Sequence, residues 1–461
     1  MKKNDSSFRD PNGFIFTHEG TLYRQVNNDG RSAYDLLISS GLYESLARKG
    51  WLITHKEVDS PAFYAVSAYR ILKPELIPFV SYPYEWSFSQ LKDAAVLTLD
   101  IQLLAIKHGM VLRDASAYNI QFKDGKPVLI DTLSLGVYEE GAAWEGYRQF
   151  CQHFLAPLVL MSKQDIRLSQ LSKVYIDGVP LDLASALLPA KTWLMPSLLM
   201  HIHLHAKAQR AYSGSENPDN SQKKKLQSLS RNGLMGIVLG LRRLIKKLDW
   251  KPAGTEWADY YQKANYSDNA LLSKTKNIDL FLDEMRPKSV WDIGANAGLF
   301  SRLASKRGIQ TIAFDIDPSA VEVNYRSLKE TAESSLLPLV MDITNPSASI
   351  GWGNAERSSF MSRGSVDCVF ALALIHHLAI SNNVPLAKLA DFFALICTHL
   401  IIEFVPKSDS QVRRLLSSRK DIFYSYTEQG FEDAFSQQFE VRQKLPVMGS
   451  DRMLYWLIKR Q

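Results

Sequence analysis

Three aspartates in the second half of the chain each lie at or near the end of a predicted strand. Asp292 belongs to the apolar run 289–294, Asp315 to the run 311–317, and Asp342 to the run 338–343. In an open α/β sheet, ligands bind outside the carboxyl ends of the parallel strands. Three carboxylates at that edge disfavour a phosphorylated ligand, and they suit a ligand with a positive charge and free hydroxyl groups.

The loop after Asp292 carries two glycines, Gly294 and Gly298, with Asn296 between them. Glycine lets the backbone approach a ligand closely because no Cβ stands in the way. The spacing is not the G-x-G-x-x-G of a dinucleotide loop, and no Gly-Lys-Ser/Thr follows as in a P-loop. The loop therefore predicts a small-molecule site that is not built for phosphate.

Two histidines and a glutamate are candidates for proton transfer at the same edge. His376 and His377 follow the predicted strand 365–372, and Glu403 lies in the predicted strand 399–405. Histidine is the side chain most easily poised near neutral pH, and a base is needed only where the reacting group must lose a proton early. The histidines are predicted either as catalytic or as positioning residues, and Glu403 is a second candidate for catalysis.

A second set of chemically capable residues lies in VLRDASAYNIQFKDGKPVLIDTLS, residues 111–134. Asp114 is followed five residues later by Asn119, and Asp131 ends a predicted strand after a hairpin turn. Asp, Asn and Asp in this order can orient a hydroxyl group and hold Mg²⁺. A chance combination of a hairpin with two acids is the alternative.

The elements that must position these residues fall into three regions, predicted as domains at 1–205, 206–250 and 251–461. The first begins with a hairpin pattern, GFIFTHEGTLYRQV, and continues with helical patterns. The second begins with a polar, turn-rich linker and ends in an apolar helix with a basic end, 233–250. The third alternates strands with helices, which predicts a doubly wound parallel sheet of the α/β class.

The bulk composition is that of a globular protein. The chain has 461 residues, a hydrophobic content of 46% and a formal net charge of +6, which predicts two or three domains and does not indicate nucleic acid. Its three cysteines suggest neither a disulfide framework nor a zinc site, so a reducing cytoplasm is the expected location. No signal peptide and no transmembrane segment are expected, and 233–250 could make a peripheral membrane contact.

Four segments of the third region resemble class I S-adenosylmethionine-dependent methyltransferases. They are DIGANAGLFS, AFDIDPSAVE, VMDIT and VDCVFALALIHHL, in the order and at the spacings of that family. The resemblance implies a Rossmann-like seven-stranded sheet whose last strand is antiparallel. It also implies that S-adenosylmethionine is held by Asp292, Gly294, Asn296, Gly298, Asp315 on the ribose, and Asp342 near the adenine amino group. Asp317, which precedes a proline, is assigned instead to a helix N-cap.

Residues 111–134 resemble the catalytic loop of protein kinases and aminoglycoside-type phosphotransferases. The resemblance implies an α+β kinase-like domain in which Asp114 is the base and Asn119 and Asp131 hold the magnesium of Mg-ATP. Leu112 replaces the family's histidine, no glycine-rich phosphate loop is visible, and Arg24 stands where a lysine would pair with phosphates. These departures favour a degenerate fold that binds substrate, so Mg-ATP is an alternative and not the expectation.

The whole chain also resembles bacterial nodulation-type, methyltransferase-like proteins. The predicted function is methyl transfer from S-adenosylmethionine to a small-molecule or carbohydrate-like acceptor. The alternatives are a bifunctional kinase–methyltransferase that modifies a glycan, and a non-catalytic binding or scaffold protein. A nucleic-acid partner is not expected because no RNA-binding module is recognisable.

Two smaller patterns have open interpretations. His201, His203 and His205 alternate, and on a strand they would share one face and could bind a metal. The segment 255–274 is rich in aromatic residues, which could either cover the cofactor as a lid or pack an outer helix onto the sheet.

Overall fold

The computed structural model describes residues 1–213, 229–252 and 268–460. The chain forms two compact units. The first consists of Met1–Lys251 together with Ile350–Arg357, and the second of Pro252–Ser349 and Ser358–Gln461. The aromatic segment proposed as a lid has its tryptophan and tyrosines between 253 and 267, which lie outside the described residues.

An antiparallel sheet begins the first unit. Its strands are β1 (Lys2–Lys3), β2 (Gly13–His18), β3 (Thr21–Asn27), β4 (His55–Glu57) and β5 (Ala68–Pro74), in the order β1-β2-β3-β5-β4. The predicted hairpin is present as β2 and β3, and it turns at Glu19 and Gly20, which both have a positive φ. Gly13 allows close packing, because a Cβ at that position would overlap Gln25 and Leu133.

A long helix, Phe88–Lys107, leads to the predicted catalytic-loop segment. It begins at a capping box in which the Ser87 side chain accepts from the Gln90 backbone N–H. The strands that follow are β6 (Met110–Leu112), β7 (Ile120–Lys123), β8 (Lys126–Leu129) and β9 (Leu135–Val137). They form two small antiparallel ladders, β6 with β9 and β7 with β8, so the first unit is α+β.

Other helices complete the first unit. The α-helices are Arg31–Ser39, Leu42–Arg48, Tyr147–Phe150, Ala156–Lys163, Leu171–Val174, Leu181–Leu187, Pro196–Leu198, His205–Ser213 and Arg231–Lys247, and Cys151–Leu155 and Leu199–Leu204 are π-helical.

The apolar face of Arg231–Lys247 is buried within the first unit. Val238 and Leu241 have no exposed surface, and Arg242 pairs with Asp100 of the helix Phe88–Lys107 at 2.5 Å. The suggested peripheral membrane contact through 233–250 stays a prediction, and the buried side chains of Val238 and Leu241 would take no part in it because protein covers them. Among the described residues, no helix is both long and apolar enough to cross a bilayer.

The alternating histidines do not lie on a strand. His201 and His203 belong to the π-helix Leu199–Leu204, and His205 begins the next α-helix, so the three side chains do not share a face. His201 is hydrogen bonded to the Tyr147 hydroxyl at 2.7 Å. The described residues contain no group of three or more potential metal ligands, and the suggested metal site is corrected.

The segment Ile350–Arg357 belongs to the first unit although it comes from between two strands of the second. Glu356 is buried and accepts from Arg9 at 2.6 Å and 3.0 Å. The Arg357 guanidinium lies over the Tyr118 ring, 4.3 Å from its centroid. The first unit therefore contains chain from both halves of the sequence.

The second unit is built on a seven-stranded sheet. Its strands are β10 (Ser289–Ile293), β11 (Gln310–Asp315), β12 (Leu336–Val340), β13 (Val366–Ala371), β14 (Cys397–Phe404), β15 (Phe439–Pro446) and β16 (Met453–Lys459). The order is β12-β11-β10-β13-β14-β16-β15, parallel from β12 to β14, with β16 antiparallel to both of its neighbours. This is the doubly wound sheet that the methyltransferase resemblance implies, with its antiparallel last strand.

Helices cover both faces of that sheet. They are Asp268–Met285, Ser301–Ser305, Pro318–Thr331, Leu386–Ile396, Ser410–Ser417 and Glu428–Phe435, with the π-helix His377–Ser381 after β13. The core on one face joins Phe281 of the first helix to Phe370, Ile401 and Trp456 on three strands, all of them buried. This packing fixes the helix Asp268–Met285 against the sheet, which matters below because the helix carries a buried lysine.

Candidate active site

The glycine loop follows β10, leads into the helix Ser301–Ser305 and is hydrogen bonded to β11. The N–H groups of Gly294 and Ala295 both donate to the Phe314 carbonyl at 2.9 Å. The loop turns through positive φ at Gly294 and Gly298 (80° each) and at Asn296 (50°). Glycine and asparagine are the residues that adopt this region at least cost, so the local sequence accounts for the shape of the loop.

Asp315 lies at the end of β11, beside the loop. Its carboxylate accepts from the Asn296 N–H at 2.7 Å and from the Asp317 N–H at 2.8 Å. Burial raises the pKa of Asp315 to about 6. Asp317 instead accepts from the Ser319 N–H at 2.8 Å as the N-cap of the next helix, as the sequence predicted.

Asp292 lies deeper, on the neighbouring strand. It pairs in register with Ala313, two residues before Asp315, and only 1% of it is exposed. Its carboxylate accepts from the Ser301 hydroxyl at 2.6 Å. Burial raises the pKa of Asp292 to about 7, and the Asp315 carboxylate adds to the shift.

Asp342 follows β12, the strand on the other side of Asp315. It accepts from the Thr344 N–H at 2.9 Å and from the Thr344 hydroxyl at 2.6 Å. The Met341 N–H donates to the Asp315 carbonyl at 2.8 Å, which ties this strand end to the next. The three predicted acids thus lie within, at the end of and just beyond three adjacent strands, β10, β11 and β12, towards one edge of the sheet.

Sequence reasoning missed Asn324, which lies against the glycine loop. Asn324 is buried in the helix Pro318–Thr331, and a Cβ at Gly298 would overlap its side-chain amide. Neither polar atom of that amide has a hydrogen-bond partner in the described part of the chain. Gly298 is therefore required by this neighbour as well as by its own φ.

The two histidines lie beyond the end of β13, in the segment that packs on the glycine loop. Leu374 is so close to Gly294 that a Cβ there would lie 3.3 Å from the leucine Cδ1. His376 has no exposed surface, and neither of its ring nitrogens is hydrogen bonded to a described residue. Burial lowers the pKa of His376 well below its usual value and that of His377 to about 4, so both rings are neutral at pH 7.

Glu403 is the next-to-last residue of β14, and two cations lie beside its carboxylate. Lys274 Nζ lies 2.6 Å from its Oε2, and Arg452 Nη1 lies 3.5 Å from its Oε1. Glu403 and Lys274 are 0% and 1% exposed. A carboxylate with both oxygens next to cations is a poor proton acceptor, so this geometry does not favour Glu403 as a base.

In the first unit, each of the three predicted catalytic-loop residues makes a hydrogen bond within the protein. Asp131 accepts from Arg24 and from the Leu133 N–H, the latter at 3.0 Å. The Asn119 amide donates to the Ser134 hydroxyl at 3.1 Å. Asp114 accepts from the Ser116 N–H at 3.0 Å, which shapes its own turn.

These contacts test the two implied cofactors differently. The Arg24 guanidinium is paired with the Asp131 carboxylate, which would have to ligate Mg²⁺. Because arginine stays protonated in proteins, the first unit does not fit Mg-ATP. In the second unit, the buried carboxylates of Asp292 and Asp315 lie beside a loop in which Gly294 and Gly298 have no side chain to keep a ligand away from the backbone. That set fits S-adenosylmethionine, whose charge is positive at sulfur and whose ribose offers two hydroxyls.

Comparison with known proteins gives one relative along the whole length of the chain. The chain is 36% identical over 455 residues to the nodulation protein NoeA of Rhizobium meliloti (strain 1021), covering 97% of this chain and 94% of NoeA. No family model matches.

Solved structures resemble parts of the chain. The bifunctional kinase-methyltransferase WbdD is 15% identical over 48% of this chain and 46% of its own, with a TM-score of 0.30, so the chain spans about half of its length. Magnesium protoporphyrin IX methyltransferase from Synechocystis PCC 6803, with bound SAH, is 13% identical over 44% of this chain and 93% of its own, with a TM-score of 0.32. The N-methyltransferase NodS from Bradyrhizobium japonicum WM9 is 12% identical over 42% and 99%, with a TM-score of 0.30. At these TM-scores the three structures carry no argument about the reaction.

Proposed function

Because this chain belongs to the family of the nodulation protein NoeA, and because its second unit has the strand order of class I methyltransferases, we propose that it is an S-adenosylmethionine-dependent methyltransferase. The observation that carries the proposal is the Asp315 carboxylate, bonded at 2.7 Å to the backbone of the glycine loop at the carboxyl edge of the sheet. A phosphorylated cofactor would meet three acids there, whereas a cationic nucleoside meets complementary charge.

Named residues have distinct tasks in this proposal. Asp315 binds the ribose hydroxyls, and Asp342, on the neighbouring strand end, binds near the adenine amino group. Asp292 faces the positive charge. Gly294, Asn296 and Gly298 shape the loop so that backbone, not side chain, lies against the cofactor. The cofactor supplies a methyl group bonded to a positively charged sulfur.

The chemical step asks little of the protein beyond positioning and exclusion of water. His376 is the side chain best suited to the acceptor. It is neutral, buried and without a hydrogen-bond partner among the described residues, so it can hold one polar hydrogen of an acceptor. Its lowered pKa makes it a weak base, so we assign it to orientation of the acceptor and to receipt of a proton only as the new bond to carbon forms.

The acceptor is proposed to be a small molecule or a glycan. The support for this is the resemblance of residues 111–134, with Asp114, Asn119 and Asp131, to a phosphotransferase catalytic loop in a unit that is α+β. Its predicted metal ligands are bonded within the protein, which favours a degenerate domain that binds the acceptor over a bifunctional kinase–methyltransferase. We expect the protein in the cytoplasm, and no nucleic-acid partner.

The decisive experiment is calorimetry of the purified full chain with S-adenosylmethionine, followed by labelling of small-molecule and glycan extracts with a radioactive methyl group. Binding of S-adenosylmethionine together with transfer of the labelled methyl group supports the proposed enzyme. Binding without transfer to any extract contradicts the proposal that the acceptor is a small molecule or a glycan. Absence of binding favours the scaffold alternative.

A further inference from the structure

A group of ionisable side chains lies beneath the candidate site, on elements far apart in sequence. We call it the buried charge cluster. It consists of Lys274, Asp292, Glu403, Asp409 and Arg452. Only Asp292 and Glu403 among them were singled out in the sequence. Four of the five are buried and Asp409 is partly buried.

The cations of this cluster pair with two of its three carboxylates. Lys274 Nζ lies 2.6 Å from Glu403, and Arg452 bridges Glu403 at 3.5 Å to Asp409 at 2.8 Å. Lys274 also lies over the Phe300 ring, 4.4 Å from its centroid. Buried ions at such distances are stable only when each charge is matched.

Asp292 is the carboxylate that remains. In the described part of the chain it has no cation within 4 Å, and its side-chain hydrogen bond comes from the Ser301 hydroxyl. The ionisable groups that face it are Lys274 from the preceding helix, Asp315 from β11 and Cys368 from β13. Of these only Lys274 carries a positive charge, and that charge is shared with Glu403. The cluster therefore has three carboxylates for two cations.

We propose that the positive sulfur of the cofactor completes this cluster. Lys274 is a positioning residue: it pairs with Glu403 and so leaves Asp292 as the carboxylate without its own cation. The site therefore prefers S-adenosylmethionine, whose sulfur is positive, over the product S-adenosylhomocysteine, whose sulfur is neutral. This inference rests on the proposed function, and it adds a basis for releasing the product after the methyl group and the charge have left the sulfur.

The charge balance has a consequence for protons. Burial raises the pKa of Asp292 to about 7, so near neutral pH the unliganded carboxyl is partly protonated. A cation placed beside it favours the ionised form, and the proton is expelled on binding. Affinity for the sulfonium cofactor should thus fall roughly tenfold from pH 8 to pH 6, because the ionised fraction of Asp292 falls by about that factor.

The test is equilibrium binding of S-adenosylmethionine and S-adenosylhomocysteine to the full chain between pH 6 and pH 8, in two buffers of different ionisation enthalpy. The wild type should release a proton on binding the sulfonium compound, and its preference for that compound should grow with pH. In Asp292→Asn both the proton release and the pH-dependent preference should vanish.

Lys274→Met tests the positioning role. Without the lysine charge, Asp292 ionises less readily, so the pH midpoint of cofactor binding should move upward, which a merely loosened site would not produce. Lys274→Arg should restore the wild-type midpoint, and Lys276→Met, exposed on the same helix, should not change it. If Lys274→Met does not fold, Asp292→Asn and Lys274→Arg decide the question.

The outcomes separate this inference from the proposed function. A wild type that binds both compounds with the same pH dependence overturns the inference and leaves the methyltransferase proposal standing. A wild type that binds neither compound at any pH rejects the proposed function itself.

Discussion

Asp315 and Asn296 are joined by a hydrogen bond of 2.7 Å from the asparagine N–H to the aspartate carboxylate. The bond connects two parts of the site, the backbone of the glycine loop and a buried acid at the end of the next strand. It also means that the carboxylate fixes the loop even before a ligand arrives. Substitutions at Asp315 should therefore affect both the shape of the loop and the affinity.

Asp315→Asn should weaken S-adenosylmethionine binding by about 10- to 100-fold, because charge-assisted hydrogen bonds to hydroxyls are each worth about 1.5–3 kcal/mol. The matched control is Asp317→Asn, two residues on, where asparagine also serves as an N-cap and affinity should not change. Isothermal titration measures both. Equal losses in the two variants would remove Asp315 from the site.

Gly298→Ala should lower both the unfolding temperature and the cofactor affinity. Alanine at a φ of +80° is strained, and its Cβ would also overlap the buried Asn324 amide. Gly308→Ala supplies the comparison, since its φ is +75° but nothing lies within 4 Å of the added Cβ. Thermal unfolding should show a loss of about 1 kcal/mol for Gly308→Ala and a clearly larger one for Gly298→Ala. Equal losses of stability in Gly298→Ala and Gly308→Ala would mean that the Asn324 side chain moves to make room for the added Cβ.

Lys274→Met should destabilise the second unit by about 3–5 kcal/mol, since it leaves Glu403 buried with a weaker set of partners. The double variant Lys274→Met/Glu403→Gln should recover much of that loss, because the carboxylate is then no longer charged. Urea unfolding of the single, double and Lys276→Met variants measures the coupling. Additive effects would show that the two side chains do not interact.

Magnesium and ATP should not raise the unfolding temperature of the wild type, because Arg24 already holds the Asp131 carboxylate. Arg24→Ala should lower stability and gain no more than weak Mg²⁺ binding, since Asn119 still donates to Ser134. A magnesium-dependent shift with ATP in the wild type, lost in Asp131→Asn, would contradict the degenerate assignment and favour the bifunctional enzyme.

Acid should destabilise the protein through His377. Burial lowers the pKa of His377 to about 4, below the value near 6.5 in an unfolded chain. The unfolded chain therefore binds a proton at this histidine more readily than the folded protein does. The folded protein keeps its full stability above pH 6.5 and loses part of it as the pH falls towards 4. Between pH 7 and pH 5 the free energy of unfolding should therefore fall by roughly 1–2 kcal/mol less in His377→Gln than in the wild type. Urea unfolding at both pH values measures the difference. An unchanged pH slope would place the histidine in solvent.

The sequence was informative where a pattern is local. The glycine loop, the strand ends with Asp292 and Asp315, the N-cap at Asp317 and the hairpin of β2 and β3 each depend on residues within a few positions of one another. Such patterns reflect backbone constraints that act wherever the segment lies in the fold. The strand order followed from the family resemblance rather than from the pattern itself.

What the sequence could not show is long-range pairing. Lys274 and Arg452 meet Glu403 from 129 and 49 residues away, and neither stands in a motif. The alternation of His201, His203 and His205 predicted a strand, but helical packing places His201 against Tyr147 and His203 between Ser185 and Thr192. Hydrogen bonding to distant side chains overrides the local period at such positions.

The placement of Ile350–Arg357 in the first unit restricts how this gene can be cut. A fragment ending at residue 251 would lack Glu356, the partner of Arg9, and would uncover the Tyr118 ring. A single break in the chain between residues 251 and 350 would therefore leave the first half without residues 350–357. The second half would carry those residues although they belong to the other unit. A functional fusion of the first half to another protein should therefore require residues 350–357 to be supplied as well.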